Sequence, residues 1–408
     1  MKADLDRLMA ERDLNALLTL PTEHEDHYRN YLSNGAQFSG FVVKKRGHDP
    51  VLITGEMERE EAARSGLTTY VFEDFNYSQI LREYKADRDR ILTEFYRRIF
   101  EKLGIEGKIC IYGVGDANSI IRTVQRFEEY LSDVVQLVPD TGRTTIFDEV
   151  VQTKSPDEIA RLRDVAARTS AVMRNARAWL GGHKADGEIV VKADGSPLTV
   201  GDFKRYVRGQ LHEHDLEEKN GMIFAPGRDG GIPHSTGEAD TVLRVGQPIV
   251  FDLFPREPQG YFHDVTRTWC LGHAPEEAQA AWDLVKEAFD RSVAMCKPGT
   301  PTHEVQIMVC ELFEENGHPT VLNTPGTTDG YVHTLAHGVG LQIHESPFFR
   351  NFDAGYKVQI GNVFTIEPGL YYPERGYGMR IEDSVLINEA GEPEHLTDVP
   401  YDLVIELQ

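Results

Sequence analysis

The period of the apolar positions changes repeatedly along the chain. Residues 4–13 carry them at helical spacing, and the run from Leu14 to Leu20 that follows reads as a strand. Phe38-Ser39-Gly40-Phe41-Val42-Val43 and Val51-Leu52-Ile53 flank Gly47-His48-Asp49-Pro50, a pattern that predicts a hairpin. Helices are expected near 56–65, 77–103 and 117–131, with a strand at Ile109–Tyr112 between the last two. The first 150 residues thus read as a small α/β domain, and no catalytic constellation stands out in them.

A boundary falls near residue 150. Just beyond it, Ser155-Pro156-Asp157-Glu158 combines a capping box with proline at the first helical position. Ile159, Leu162, Val165, Ala166, Thr169 and Met173 then recur at helical spacing, which predicts a long helix with one buried face. Further helices are expected at 200–215, 276–296 and 302–316, and strands at Pro248–Phe254, Tyr261–Trp269, Val363–Glu367 and Arg380–Asn388. Helices interleaved with hairpins point to an α+β fold for residues 151–408. A length of 408 residues also favours two domains over one.

Charge narrows the function. With 43 basic and 66 acidic residues the net charge is −23, which disfavours nucleic acid and anionic membrane as partners and suits a protein that holds cations. No apolar run approaches the ~20 residues of a membrane span. The opening Met1-Lys2-Ala3-Asp4-Leu5-Asp6-Arg7 lacks the apolar core of a signal peptide, so a cytoplasmic location is expected. Cys110, Cys270, Cys296 and Cys310 form no Cys-x-x-Cys pair and are expected to be reduced and mostly buried.

Five residues of the second domain combine into candidate chemistry: Asp252, Asp264, His337, Glu367 and Glu382. Asp252 ends the apolar run Pro248-Ile249-Val250-Phe251, and Glu367 ends Val363-Phe364-Thr365-Ile366 before Pro368-Gly369. Glu382 interrupts Met379-Arg380-Ile381 just before Asp383-Ser384-Val385-Leu386-Ile387. An unpaired carboxylate in a core strand costs several kcal/mol, so a recurrence of them calls for cations, and a metal pair supplies these. Asp252 and Asp264 flank Pro255-Arg256-Glu257-Pro258-Gln259-Gly260, a turn that would bring both to one place. His337 lies in His337-Gly338-Val339-Gly340-Leu341, where glycine permits close backbone approach. Four carboxylates and one imidazole form an oxygen-rich set suited to manganese or cobalt and able to take zinc.

These segments, with His263-Asp264-Val265-Thr266-Arg267-Thr268, the series His333, His337 and His344, and Arg380-Ile381-Glu382-Asp383, resemble the ordered motifs of the pita-bread metallopeptidases. That family includes methionine aminopeptidase, Xaa-Pro aminopeptidase and prolidase. The resemblance covers residues 150–408, and the first 150 look like the N-terminal domain shared by the proline-directed members and creatinase. It implies two divalent ions per subunit, manganese first, with Asp264 and Glu382 bridging them. Asp252 would complete one ion's shell and His337 with Glu367 the other's. A water or hydroxide between the ions would be the nucleophile. By the same resemblance His234, His333 and His344 line the substrate site and hydrogen-bond the scissile carbonyl. Glu367 exchanges a proton with the nucleophile, Arg380 orients the Glu382 carboxylate, and Tyr371 stands beside the metals. Asp252 and Asp264 are twelve residues apart where the family commonly has eleven, and the extra residue falls in the turn.

The resemblance of the first 150 residues implies the proline-directed branch, and with it a homodimer in which that domain helps close the site. Xaa-Pro bonds lack an N–H and have a fixed φ, so they need a dedicated pocket. Within the branch the expected substrate is an Xaa-Pro dipeptide. The resemblance makes Arg350, six residues after His344 and close to where prolidases carry a carboxylate-binding arginine, the candidate partner for its free carboxylate, which a guanidinium fork matches bidentately. The alternatives are an Xaa-Pro aminopeptidase acting on longer peptides, a non-catalytic binding protein on the same fold, and a creatinase, which needs no metal and lacks this ligand set.

Overall fold

The protein is described here by a computed structural model covering residues 3–22, 24–353 and 355–408; Met1 and Lys2 of the charged opening stretch lie outside them. The chain divides into two compact units, Met1–Val150 and Val151–Gln408.

The first unit is built on a six-stranded mixed sheet. Its spatial order is Thr68–Val71, Val51–Thr54, Gly40–Lys45, Ala16–Thr19, Gly107–Tyr112 and Val135–Leu137. The expected hairpin is present, with Phe41 opposite Ile53 and Val43 opposite Val51. The helix expected over 77–103 is two helices, Tyr77–Tyr84 and Arg88–Leu103. Lys85 takes a positive φ of 48°, and Asp87 starts a new helix by accepting a hydrogen bond from the Arg90 N–H. A local side-chain cap therefore overrides a continuous apolar period. The expected helix at 56–65 shortens to a 3₁₀ turn and Arg59–Ala63.

In the second unit the capping box of Ser155 and Glu158 forms, and the helix runs from Pro156 to Gly181. With the helix Val200–Glu213 it buries Leu162, Val165, Val172, Phe203 and Val207 against Phe224, Phe251 and Trp269 of a four-stranded sheet. That sheet has the order Val404–Ile405, Val265–Leu271, Pro248–Leu253 and Ile223–Pro226. A second core lies under the helices Glu276–Met295 and Thr302–Glu315, which cover Phe364, Ile366, Val385 and Ile387. These belong to a five-stranded sheet ordered Glu345–Phe349, Ala336–Gly338, Val363–Ile366, Asp383–Ile387 and Pro393–His395.

One strand expected to be continuous is broken at its acidic residue, and another ends at its own as expected. Arg380–Asn388 divides into Tyr377–Arg380 and Asp383–Ile387, and Glu367 with Pro368 separates Val363–Ile366 from Gly369–Tyr372. Proline supplies no N–H for the ladder, so the strand bends there. At the other break Glu382 leaves its own sheet and exchanges both backbone hydrogen bonds with Thr266 of the first one, at 3.0 and 3.3 Å. The two sheets of the second unit meet where Glu382 pairs with Thr266. All four cysteines are free and buried, and no helix among the described residues is long and apolar enough to cross a membrane.

Candidate metal centre and substrate cleft

Asp252 sits on the strand Pro248–Leu253 opposite Thr266, and Asp264 immediately precedes the partner strand. The connection between them is longer than a tight turn and is stitched by a bridge between Arg256 and Phe262, with Gln259 at a φ of 52°. It brings both carboxylates to the seam. His337 comes from the short strand Ala336–Gly338, Glu367 and Glu382 from the two breaks.

One ligand atom each of Asp264, His337 and Glu382 lie within 4.8 Å of one another. The His337 Nε2 is 3.8 Å from Asp264 Oδ2 and 3.5 Å from Glu367 Oε1. Atoms that each stand about 2.1 Å from a shared cation are separated by such distances. The His337 Nδ1 is 3.1 Å from the Gly338 carbonyl, which assigns the proton to Nδ1 and leaves the Nε2 lone pair facing the carboxylates. Burial holds this imidazole down to about 3, so it is neutral and able to bind metal.

The carboxylates are strained electrostatically. Burial, then the charges of Glu382, Asp252 and Glu367, push Asp264 well above the usual carboxylate range. Burial and Glu382 do the same to Glu367, and burial with Asp252 lifts Glu382 to about 8. Oδ1 of Asp252 and of Asp264 are both buried without a hydrogen-bond partner. Orphaned oxygens of this kind are rare in proteins, and divalent cations satisfy them while relieving the repulsion. The donor set thus fits a metal centre.

Among the described residues, Arg380 is the cation that hydrogen-bonds into this group. Its guanidinium donates to Asp252 Oδ2 at 2.7 Å, to Thr266 Oγ1 at 3.2 Å and to the Tyr371 hydroxyl at 2.8 Å. Thr266 in turn donates to Glu382 Oε2 at 2.7 Å. Arg380 therefore contacts Asp252 directly and reaches Glu382, the carboxylate it was expected to orient, through Thr266. Thr266 is the residue that the sequence reading passed over, although it stands inside one of the quoted motifs.

Tyr371 is fully buried and stands beside the acidic group through Arg380, which bonds both its hydroxyl and Asp252. Having accepted the Arg380 N–H, its hydroxyl gives its own proton to the His333 Nε2, 2.8 Å away. His333 Nδ1–H then donates to the Thr334 carbonyl at 2.8 Å. Both nitrogens of His333 are thus used inside the protein. This ring lines the cavity with neither ring nitrogen free for the carbonyl expected of it, and burial holds it neutral at about 4.

His234 and His344 differ, being exposed to the cavity. The His344 ring stands 4.4 Å from that of His337 at 84°, and desolvation, helped by His234 and Arg350, lowers its pKa. The cavity has a volume of about 590 Å³ and is walled by all five candidate ligands, the three histidines, Arg350 and Arg380, with Ile223, Phe254, Ile343 and Phe348 as apolar lining. Arg350 lies over the Phe348 ring at 3.9 Å, and no carboxylate among the described residues pairs with it.

Comparison with known proteins agrees with this geometry. Residues 160–389 match the model of metallopeptidase family M24, which is more than half of the chain. An Xaa-Pro dipeptidase of Pyrococcus furiosus is 37% identical over 201 residues, 48% of this chain and 53% of that protein, so the chain spans about half the length of this relative. Among solved structures, an Xaa-Pro dipeptidase from Bacillus anthracis superposes with a TM-score of 0.75 at 21% identity, covering 99% of both chains. An X-Pro aminopeptidase from Thermotoga maritima gives 0.73 at 19%, covering 98% of this chain and 99% of that one. The fold is thus the α+β pita-bread fold, and the chain belongs to metallopeptidase family M24.

Proposed function

We propose that the protein is a two-metal peptidase that hydrolyses the bond between an N-terminal residue and proline, with a preference for dipeptides. The observation that carries the reading is a closed set of four carboxylates and one imidazole, with orphaned oxygens, at the floor of a cavity whose wall holds an unpaired arginine. The dipeptidase relative supports proline as the second residue.

In this reading Asp252, Asp264, His337, Glu367 and Glu382 would hold two divalent ions, manganese first and cobalt or zinc as alternatives, with Asp264 and Glu382 shared, Asp252 serving one ion and His337 with Glu367 the other. When bound, the pair supplies Lewis acidity and a water activated near neutral pH. Glu367, at 18% the most exposed of the ligand side chains, takes up and returns the proton. His234 and His344 turn N–H groups to the scissile carbonyl and to the charge that develops on its oxygen. His333 gives the proline ring a flat wall, and Arg350 pairs with the terminal carboxylate. The unit Met1–Val150 takes part in a homodimer, a point that light scattering checks.

The test is kcat/KM for an Xaa-Pro dipeptide, the matching Xaa-Pro-Yaa tripeptide and an Xaa-Ala dipeptide, with manganese, cobalt or zinc, in wild type and Arg350→Ala. A dipeptide preference that collapses in the variant supports the proposal. Equal or better cleavage of the tripeptide by wild type makes the protein an aminopeptidase instead. Bound metal with no hydrolysis of any substrate makes it a binding protein.

A further inference from the structure

His337 and His344 stand at the two ends of one short segment, and their perpendicular rings set one wall of the cleft. What fixes this segment lies beneath it. The side chain of Glu345 turns inward and is 2% exposed, and the loop before it winds round its carboxylate. Oε2 accepts the Gln342 N–H at 3.2 Å, and a Cβ at Gly340 would come within 2.3 Å of Oε1. The carboxylate therefore occupies the space that any side chain at position 340 would need. The ladder between Ala336–Gly338 and Glu345–Phe349 also shifts register here, since His337 faces Phe348 while Gly338 faces Glu345. Backbone pairing alone leaves the His344 end unsupported.

The carboxylate is held by Lys154, itself 2% exposed, whose ammonium donates to Oε1 and to the Val151 carbonyl. Lys154 is anchored in turn. Its backbone N–H donates to Gly361 O at 2.8 Å, and the neighbouring Asn362 donates from its side chain to Gln152 O at 2.8 Å. Gly361 and Asn362 lead directly into Val363–Ile366, the strand that delivers Glu367. One buried ion pair thus spans the segment that carries His337 and His344 and the segment that carries Glu367. Residues 191 positions apart meet there without touching the cavity.

From this bracket we infer that Lys154 and Glu345 are positioning residues, which set the placement of the His344 ring over the substrate cavity. The inference rests on the peptidase reading for its kinetic consequence and on geometry alone for its structural one. Glu345→Gln keeps the shape and removes the charge, leaving Lys154 buried and unpaired. Displacement of a catalytic group by about 1 Å costs on the order of 10²-fold.

The experiment is a double-mutant cycle of Glu345→Gln with His344→Ala, read as kcat and KM on an Xaa-Pro dipeptide, with metal content and amide hydrogen exchange measured on each protein. Glu345→Gln is expected to lower kcat by roughly 10–100-fold with KM within about threefold. It should keep the wild-type metal content, raise exchange selectively over 338–345, and add no further loss in the His344→Ala background. Glu345→Asp, which keeps the charge and shortens the reach, should show the same pattern at smaller amplitude and serves if the first variant does not fold. Unchanged kcat, losses that multiply with those of His344→Ala, or exchange that rises over the whole catalytic unit overturns the inference. Inactivity of the wild type sinks the peptidase reading alone, because the exchange pattern still decides the role of the pair.

Discussion

Removal of the metals should make the stability of the catalytic unit fall as pH rises through neutrality. Without cations, Asp252, Asp264, Glu367 and Glu382 face the single guanidinium of Arg380. Glu382 is lifted from 4.5 to about 8, and Asp264 and Glu367 are raised as well. Unfolding returns these groups to ordinary values near 4. Between those limits the folded protein binds more protons than the unfolded chain, so stability is greatest at the acid end and declines as pH rises. Buried His263, His333 and His337, held at about 4, 4 and 3, act in the opposite sense below about pH 6.5. The unobscured window is therefore about pH 6.5–8. Over it, Glu382 alone contributes about 2 kcal/mol, at about 1.4 kcal/mol per pH unit. That corresponds to a fall in Tm of roughly 4–8 °C for a domain of this size. Bound cations keep the carboxylates ionised and abolish the slope, adding about 4 kcal/mol at a thousand times Kd. The assay is thermal unfolding of chelated and manganese-loaded protein from pH 6 to 8.5, with titration calorimetry of metal binding in two buffers of different ionisation enthalpy. A chelated protein whose Tm is flat or rising over the window, or binding heat that ignores the buffer, refutes the reasoning.

Asp264→Ala and Glu382→Ala should each abolish activity and lower metal content, which elemental analysis and the dipeptide assay read together; either variant with two metals and near-normal turnover contradicts the bridging assignment. His344→Ala should cut turnover by ~10²–10³ while metal content stays intact, since it removes one preorganised donor; stoichiometric loss of metal would make it a ligand instead. Tyr371→Phe leaves the buried Nε2 of His333 without its donor and should cost about 1–3 kcal/mol in urea unfolding, with metal content unchanged; a variant as stable as wild type refutes the proton placement in that chain of hydrogen bonds.

The acidic candidates were legible because a carboxylate closing an apolar run, as at Asp252 and Glu367, contradicts its own neighbourhood unless something cationic answers it. The long helix after Ser155 was legible for the same local reason, since its cap and its apolar stripe lie within a few residues of each other. What the sequence hid depends on distance. The Arg380 guanidinium chooses Asp252, 128 positions away, over nearby Glu382, and nothing local announces that. The break at Lys85–Asp87 was hidden because the apolar period continues on both sides of it, and Thr68–Val71 because its outward residues are half exposed and carry no alternation. His333 lines the cavity as expected, but the saturation of its nitrogens by Tyr371 and Thr334 is a property of the folded pocket that no local pattern shows.

The seam between the two sheets has a consequence for how the molecule could be divided. Asp252 and Asp264 precede Leu271 in the chain, whereas His337, Glu367 and Glu382 all follow Glu276. A chain severed at His273–Pro275 would leave two polypeptides, each holding an incomplete set of donors and neither able to bind the ions tightly. Mixed, they would regain a complete set only by reassembling along the strand Val265–Leu271, which Val404–Ile405 of the second piece borders. Divalent cation would then act as the glue, and recovery of hydrolysis from the two inactive pieces would report its concentration.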